Sequence, residues 1–161
     1  MRLLFILLVF PLFTFSQITY KNVMSINSEK TFKKVVIENG YEFDSTDNDV
    51  IWYGWNITKD SINGNKSKKW ATYNKTTNTF IFQFSRTNVV DDFFGSDSDN
   101  SENEYDLIVE DIKDKCTYFD VITDNDDVSY VTYSCSESLY KGKIGFMVSG
   151  GTGLIMHFPE Y

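Results

Sequence analysis

A short pattern occurs twice in the chain, at an interval of roughly 75 residues. Residues 46–49 and 123–126 both read Thr-Asp-Asn-Asp, and a Phe-Asp pair stands shortly before each copy. Each copy is followed by residues that alternate as in a half-buried strand, over 50–57 and 128–135. A duplicated unit restricts the chain to folds in which one order of elements occurs twice, so this pattern constrains the architecture more than any other feature.

The segments around each tetrapeptide also correspond. Upstream of each copy, apolar residues recur at the spacing of a helix: Phe32, Val35 and Val36, then Tyr105, Ile108, Val109 and Ile112. Downstream, residues 70–84 align without a gap with residues 144–158. The ordered match predicts two copies of a helix followed by antiparallel strands. The alternative is chance similarity between two ordinary stretches of helix and hairpin.

The repeat divides the chain into predicted units. A first α/β repeat covers residues 17–88, an acidic linker covers 89–103, and a second α/β repeat covers 104–161. The linker is rich in Ser, Asp, Asn and Glu, which is typical of a solvated loop. We expect an α+β fold in which the two repeats form one continuous antiparallel sheet with helices on one face.

Residues 1–16 have the pattern of a secretory signal peptide. Arg2 precedes an apolar run that Pro11 interrupts, and Thr14 and Ser16 are small residues at positions −3 and −1 of a cut before Gln17. The run is short for a membrane span, so a retained anchor helix is the less favoured alternative. The sequence predicts a secreted or periplasmic protein, cleaved between Ser16 and Gln17, with no stable membrane insertion afterwards.

The two cysteines fall opposite one another in the second predicted hairpin. With Asn125 and Asp126 as its loop residues, the pairing places Val121 opposite Tyr130 and Cys116 opposite Cys135. In an oxidising compartment this register predicts a disulfide between Cys116 and Cys135. Two buried thiols are the alternative.

Alternation along the strands sorts the side chains onto two predicted faces. One face is almost uniformly apolar and is expected to pack on the helices; it comprises Phe43, Val50, Trp52, Trp70, Phe80, Phe82, Phe84, Phe119, Val121, Tyr130, Ile144, Phe146, Leu154, Met156 and Phe158. The other face mixes aromatic residues with acids and amides; it comprises Asp44, Tyr53, Trp55, Tyr73, Gln83, Tyr118, Asp120, Tyr133, Met147 and His157.

The mixed face is the predicted binding surface, because Tyr and Trp bury a large area and keep a polar group, as in protein-binding hot spots. The candidate binding residues are Tyr53, Trp55, Tyr73, Tyr118, Tyr133, Met147, Asp44 and Asp120. The two acids would favour a partner with basic residues. The alternative is that cross-strand aromatic pairs only stabilise an exposed sheet.

This arrangement resembles the β-lactamase inhibitor protein family over residues 20–158. The resemblance rests on repeat length and element order, and the segment Tyr-Lys-Asn-Val-Met-Ser-Ile-Asn from Tyr20 is similar to the short first helix of such a repeat. In that family, tandem repeats form one sheet with helices on one side, and the concave open face grips another protein. The resemblance therefore implies this architecture and a protein-binding face.

The sequence contains no recognisable catalytic set. One His and two Cys are too few for a His/Cys zinc cluster, and we expect no metal and no cofactor. His157 is expected to be a packed or interface residue rather than a base, and the net charge of -8 disfavours a nucleic acid partner. We expect a non-catalytic binding protein, inhibitor-like or an interaction module, with an unidentified protein partner. The alternatives are a small-ligand carrier and an envelope hydrolase of carbohydrate or peptide, with Asp44 and Asp120 as its paired carboxyls.

Overall fold

A computed structural model describes residues 17–59, 64–85, 104–124 and 126–160. The predicted signal peptide and the predicted linker 89–103 lie outside the described residues. The first helices and strands are α1 (Tyr20–Met24), α2 (Glu29–Glu38), β1 (Tyr41–Asp47), β2 (Val50–Trp55), β3 (Lys69–Asn74) and β4 (Thr79–Ser85). They are followed by α3 (Glu104–Lys115), β5 (Thr117–Thr123), β6 (Ser129–Ser134), β7 (Gly142–Ser149) and β8 (Thr152–Pro159).

The two longer helices form where the apolar spacing predicts them. Helix α2 begins after Ser28, whose hydroxyl accepts the backbone N–H of Thr31, so an otherwise unpaired donor of the first turn is satisfied. Its apolar side chains at i, i+3 and i+4 are buried, as are those of α3. Both helices therefore use one apolar stripe to pack against the sheet.

All eight strands join one antiparallel sheet in the order β1-β2-β3-β4-β8-β7-β6-β5. This confirms the predicted antiparallel sheet accompanied by helices. Strands β1 to β4 and β5 to β8 are each neighbours in chain order, and the pairing of β4 with β8 joins the two sets. Strands β1 and β5 are consequently the two edges of the sheet.

The helices pack on the same face of this sheet. In α2, the Phe32 ring lies 6.0, 5.3 and 6.1 Å from the rings of Tyr53, Tyr73 and Phe82. In α3, the Tyr105 ring lies 6.1 Å from that of Phe84, whose direct cross-strand partner is Gly153. We call this side the helix-facing side and the opposite side the open face.

The second hairpin differs from its predicted register near the turn. Val121 pairs with Val131, not with Tyr130, because the Asp124 amide bonds the Val128 carbonyl at 2.9 Å and closes the strands there. The register shifts back between Tyr118 and Asp120, where a β-bulge adds one residue to β5. The bulge restores the predicted alignment at the open end of the hairpin.

The predicted disulfide is present at that end. Cys116 and Cys135 are bonded, with an S–S distance of 2.11 Å and their Cα atoms 4.5 Å apart. The bond ties the C-terminal end of α3 to the end of β6. It therefore fixes the helix to the sheet as well as closing the hairpin.

His157 lies on the helix-facing side, so its expected place on the open face is wrong. Its ring stacks on Phe80 with 5.1 Å between the centroids, and it lies 4.7 Å from the Tyr140 ring. The ring nitrogens face the carbonyls of Asn78 and Lys141 at 3.2 and 3.0 Å. Burial lowers the pKa of His157 although both carbonyls favour its protonated form. The ring is a packed residue of the core.

A buried carboxylate joins the chain before α1, the start of α3 and strand β3. Glu104, at the first position of α3, is 5 % exposed and accepts the backbone N–H of Ile18 and the ammonium of Lys69. The Lys69 ammonium also lies 4.8 Å from the centroid of the Trp55 ring. A negative charge in the first turn of a helix is also favoured by the helix dipole. Glu104 thus ties three separate parts of the chain together.

The hydroxyl of Tyr41 is buried close to this carboxylate and has no hydrogen-bond partner. Burial, and then the charge of Glu104, raise the pKa of Tyr41. An unpaired buried hydroxyl costs stability of order 1–3 kcal/mol.

Replacing Tyr41 by Phe removes that hydroxyl and keeps the ring in place. We expect Y41F to raise the free energy of unfolding by about 1 kcal/mol, as measured by urea denaturation. Y73F is the matched control, because the Tyr73 hydroxyl donates to the Asn78 side chain at 3.1 Å and its loss should not stabilise the fold. A destabilised Y41F would show that the Tyr41 hydroxyl has a partner in solution.

Candidate binding surface on the open sheet face

The structure reverses the predicted faces for strands β2 and β3, whereas Phe80, Phe82 and Phe84 of β4 lie on the helix-facing side as predicted. Tyr53 and Tyr73 are 4 % and 2 % exposed and lie under α2 against Phe32. Their expected place on the open face is wrong, because directly paired residues share a face and Tyr73 pairs with Phe80. The two tyrosines therefore belong to the core and not to a binding surface.

Three further predicted binding residues also lie on the helix-facing side. Trp55 pairs with Lys69 and packs against the core, and the Tyr133 ring stacks on Phe146 at 5.6 Å. Tyr118 pairs with Tyr133 on the edge strand and is 55 % exposed. The open-face prediction is wrong for Trp55, Tyr118 and Tyr133, and of these Tyr118 is the exposed one.

Seven of the fifteen residues expected under the helices lie instead on the open face. The cross-strand pairing places there Val50, Trp52, Trp70, Tyr130, Leu154, Met156 and Phe158. Phe119 falls in the bulge of β5 and is 53 % exposed, so its expected place in the core is also wrong. Phe43 and Val121 point to the helix-facing side but are 60 % and 51 % exposed, because they stand on the edge strands.

The gapless alignment of residues 70–84 with 144–158 accounts for part of this error. It matches Trp70 with Ile144, but Trp70 is on the open face and Ile144 is buried on the helix-facing side. The turns differ in length: β3 and β4 close at Asn74 and Thr79, whereas β7 and β8 close at Ser149 and Thr152. Gly150 and Gly151 have positive φ in the shorter turn, as two-residue hairpin loops require.

Two rows of directly paired residues cross the open face. The central row consists of Ser45, Trp52, Thr72, Ile81, Met156, Gly145, Thr132 and Asp120. The second row consists of Gly54, Trp70, Gln83, Leu154 and Met147. Together they place six large apolar side chains side by side. We call this set the open-face strip; it comprises Trp52, Trp70, Ile81, Leu154, Met156 and Met147.

An aromatic pair lies over a glycine in each half of the open face. The Trp52 and Trp70 rings are 6.1 Å apart, and a Cβ on Gly54 would lie 3.0 Å from the Trp70 ring. In the second half, the Tyr130 and Phe158 rings are 5.3 Å apart. A Cβ on Gly145 would lie 2.6 Å from Phe158. The missing side chains leave room for the Trp70 and Phe158 rings above the two glycines, and the Phe158 ring packs edge-on against Tyr130, which explains how Tyr130 is buried without a helix above it.

The strip is apolar but not covered by the helices. Trp52 is 36 % exposed, and the other five residues of the strip are half-buried. Met147, predicted as a binding residue, belongs to the strip, and its backbone carbonyl accepts the Tyr105 hydroxyl at 3.0 Å. A contiguous apolar patch of this kind is typical of an interaction surface.

Acidic residues stand at both edges of the sheet. Asp44 lies in the bulge of β1, beside Ser45, and accepts the Asn65 amide at 2.6 Å. Asp120 ends the central row on β5, is exposed, and accepts the amide of Val121 at 2.8 Å. Asp120 therefore ends the central row on one edge strand, and Asp44 neighbours Ser45, the other end of that row, on the opposite edge strand.

Lys143 is a cation on this face, and its charge is already paired. Its ammonium lies 2.7 Å from the Glu160 carboxylate and 4.6 Å from the centroid of the Phe119 ring. The ion pair lowers the pKa of Glu160. The positive charge of Lys143 is thus largely balanced before any partner arrives.

Asp44 and Asp120 cannot act as the paired carboxyls of a glycosidase. They stand on opposite edge strands, seven strand spacings apart, which is about 34 Å. Glycosidase carboxyls are separated by less than about 10 Å. Among the described residues no group of three His, Cys, Asp or Glu side chains could hold a metal ion.

Two open depressions lie away from the strip. One, of about 470 Å³, lies between the segment before α1 and α3 and includes Leu107, Glu110 and Asp114. The other, of about 380 Å³, is lined by Trp55 and the loop side chains Lys66 and Lys68. Neither encloses an apolar cavity of the kind that a small-ligand carrier needs.

A comparison of the chain with protein-family models, curated proteins and solved structures gives no significant match to any of them. Within the part of the chain that the structure describes, none of the helices is long and apolar enough to cross a membrane. Any function must therefore be argued from the geometry of the surface itself.

Proposed function

We propose that this is an exported, non-catalytic binding protein that captures another protein on its open-face strip. The observation that carries the proposal is the strip itself, six apolar side chains that the helices leave uncovered on the middle strands of the sheet. Trp and Met are enriched in the centres of protein interfaces, where a few large side chains carry most of the binding free energy.

The disulfide supports export to a periplasm or out of the cell, because such bonds persist in oxidising compartments. The helix before each set of four consecutive strands supports internal duplication. We also propose, on the resemblance of element order, an architecture like that of the β-lactamase inhibitor protein family. For the partner we propose only the chemistry of its surface, which is an apolar ridge with basic residues around it.

Replacing two residues of the strip should remove capture without unfolding the protein. We expect W52A with M156A to recover at least tenfold less partner from an envelope extract of the native host, measured by quantitative mass spectrometry. The loss follows from the removal of two central contact side chains.

The matched control is I37A with L139A. Both residues are large, apolar and more than half exposed, and neither belongs to the strip. The control should capture as the wild type does, and circular dichroism should show both double variants folded at the assay temperature. Equal recovery by the strip variant and the wild type would refute the proposal.

A further inference from the structure

We propose that the segment bound by the open-face strip is an amphipathic helix of about 16 residues with basic residues at both ends. This inference rests on the proposed function and specifies the partner's chemistry. It follows from three properties of the surface: its paired backbone, its length and the position of its charges.

The backbone of the middle strands is already paired on both sides. Strands β2, β3, β4, β8, β7 and β6 each have two neighbours in the sheet, so their N–H and C=O groups bond within it. An extended peptide lying on this face would lose water from its own backbone groups and find no partners for them. A helix satisfies its backbone internally and presents only side chains, so it can cover the strip without that cost.

The width of the open face between its two edge strands matches a helix of four to five turns. From β2 to β6, the strands inside the edges β1 and β5, the face spans five strand spacings, which is about 24 Å. At 1.5 Å per residue, about 16 residues of helix cover this distance. Met147 and Met156 lie within it, and the flexible methionine side chain adapts to irregular apolar partners.

The charges complete the match at the two ends. Asp44 stands at one edge of the sheet and Asp120 at the other, and the apolar strip lies between them. Lys143 is held by Glu160 and lies against Phe119, so it does not reverse the acidic character of that edge. Lys or Arg side chains at both ends of a bound helix would reach toward these two acids.

The test uses a synthetic peptide of about 16 residues with a Leu stripe at helical spacing and Lys at both ends, labelled for fluorescence anisotropy. A second peptide has the same sequence except that proline replaces its central residue, so that it cannot form the helix. A third peptide carries Glu in place of Lys. We expect the first peptide to bind at least tenfold more tightly than either of the others.

The protein variants locate the binding. W52A with M156A should weaken binding of the first peptide at least tenfold, whereas I37A with L139A should leave it unchanged. D44N with D120N should weaken it about threefold to tenfold at low salt and reduce its salt dependence, because only the end charges are removed.

Equal binding of the helical and proline peptides, or of the Lys and Glu peptides, would overturn the inference. A membrane-binding result would overturn it as well. In that result the wild-type protein binds tightly to vesicles of phosphatidylcholine and phosphatidylglycerol, W52A with M156A abolishes this binding, and the helical peptide does not bind. In either case the proposed function is tested separately, by the capture of a partner from the envelope extract. If none of the peptides binds but the strip variant still loses its native partner, the proposed binding function stands and only the proposed class of partner is wrong.

Discussion

Replacing Phe32 by Ala is expected to lower the free energy of unfolding by about 4 kcal/mol. The Phe32 side chain has no exposed surface and contacts the rings of Tyr53, Tyr73 and Phe82. Its removal opens a cavity between α2 and the sheet that three rigid rings cannot close. Urea denaturation followed by circular dichroism measures the change.

The control for F32A lies on the same helix. Ile37 is 58 % exposed, so I37A should change stability by less than about 1 kcal/mol. This pair of variants also tests which side of the sheet the helices cover. If F32A were no more destabilising than I37A, the assignment of Tyr53 and Tyr73 to the core would be wrong, and the open face would have to be reassigned.

Replacing Glu104 by Ala should cost about 3 kcal/mol. The change leaves the Lys69 ammonium without its carboxylate in a largely buried position and removes the acceptor of the Ile18 amide. Lys69→Met should also destabilise, because it leaves the Glu104 charge buried without its ion-pair partner. The double variant should lose less than the sum of the two single losses, by at least about 1 kcal/mol in a double-mutant cycle.

The exposed pair Asp111–Lys115 is the control for this cycle. Its side chains are about two-fifths exposed, so D111A should change stability little. Strictly additive losses for Glu104 and Lys69 would show that the two side chains do not interact in solution.

Local patterns in the sequence were enough to predict the helices and the disulfide. The spacing of Phe32, Val35 and Val36 sets the buried stripe of α2, and it depends only on residues within two turns. The predicted pairing of Cys116 with Cys135 is correct although the predicted turn is wrong, because the bulge in β5 compensates for the one-residue error in the turn. A predicted register can therefore be correct at one end of a hairpin and wrong at the other.

The faces of the strands were not predictable in the same way. Alternation divides a strand into two sets of side chains, but every turn and bulge can exchange the sets between one strand and the next. Tyr53 and Tyr73 are predicted outside because their face also carries acids and amides, and Trp52 and Trp70 inside because their face is almost uniformly apolar. The signal that could have corrected this is the pair Tyr73 and Phe80, because a four-residue turn between β3 and β4 puts both on one face.

The pairing of β4 with β8 affects how soluble the chain is before the sheet is complete. Strand β4 reads Thr-Phe-Ile-Phe-Gln-Phe-Ser, with no charge, proline or glycine, which is the composition of segments that stack into fibrils. One of its two neighbours, β8, is the last strand within the described residues. Until β8 has been synthesised and paired, one side of β4 is an open edge that a second copy of the same segment could join. Completing the sheet thus protects this protein from self-association as well as building its surface.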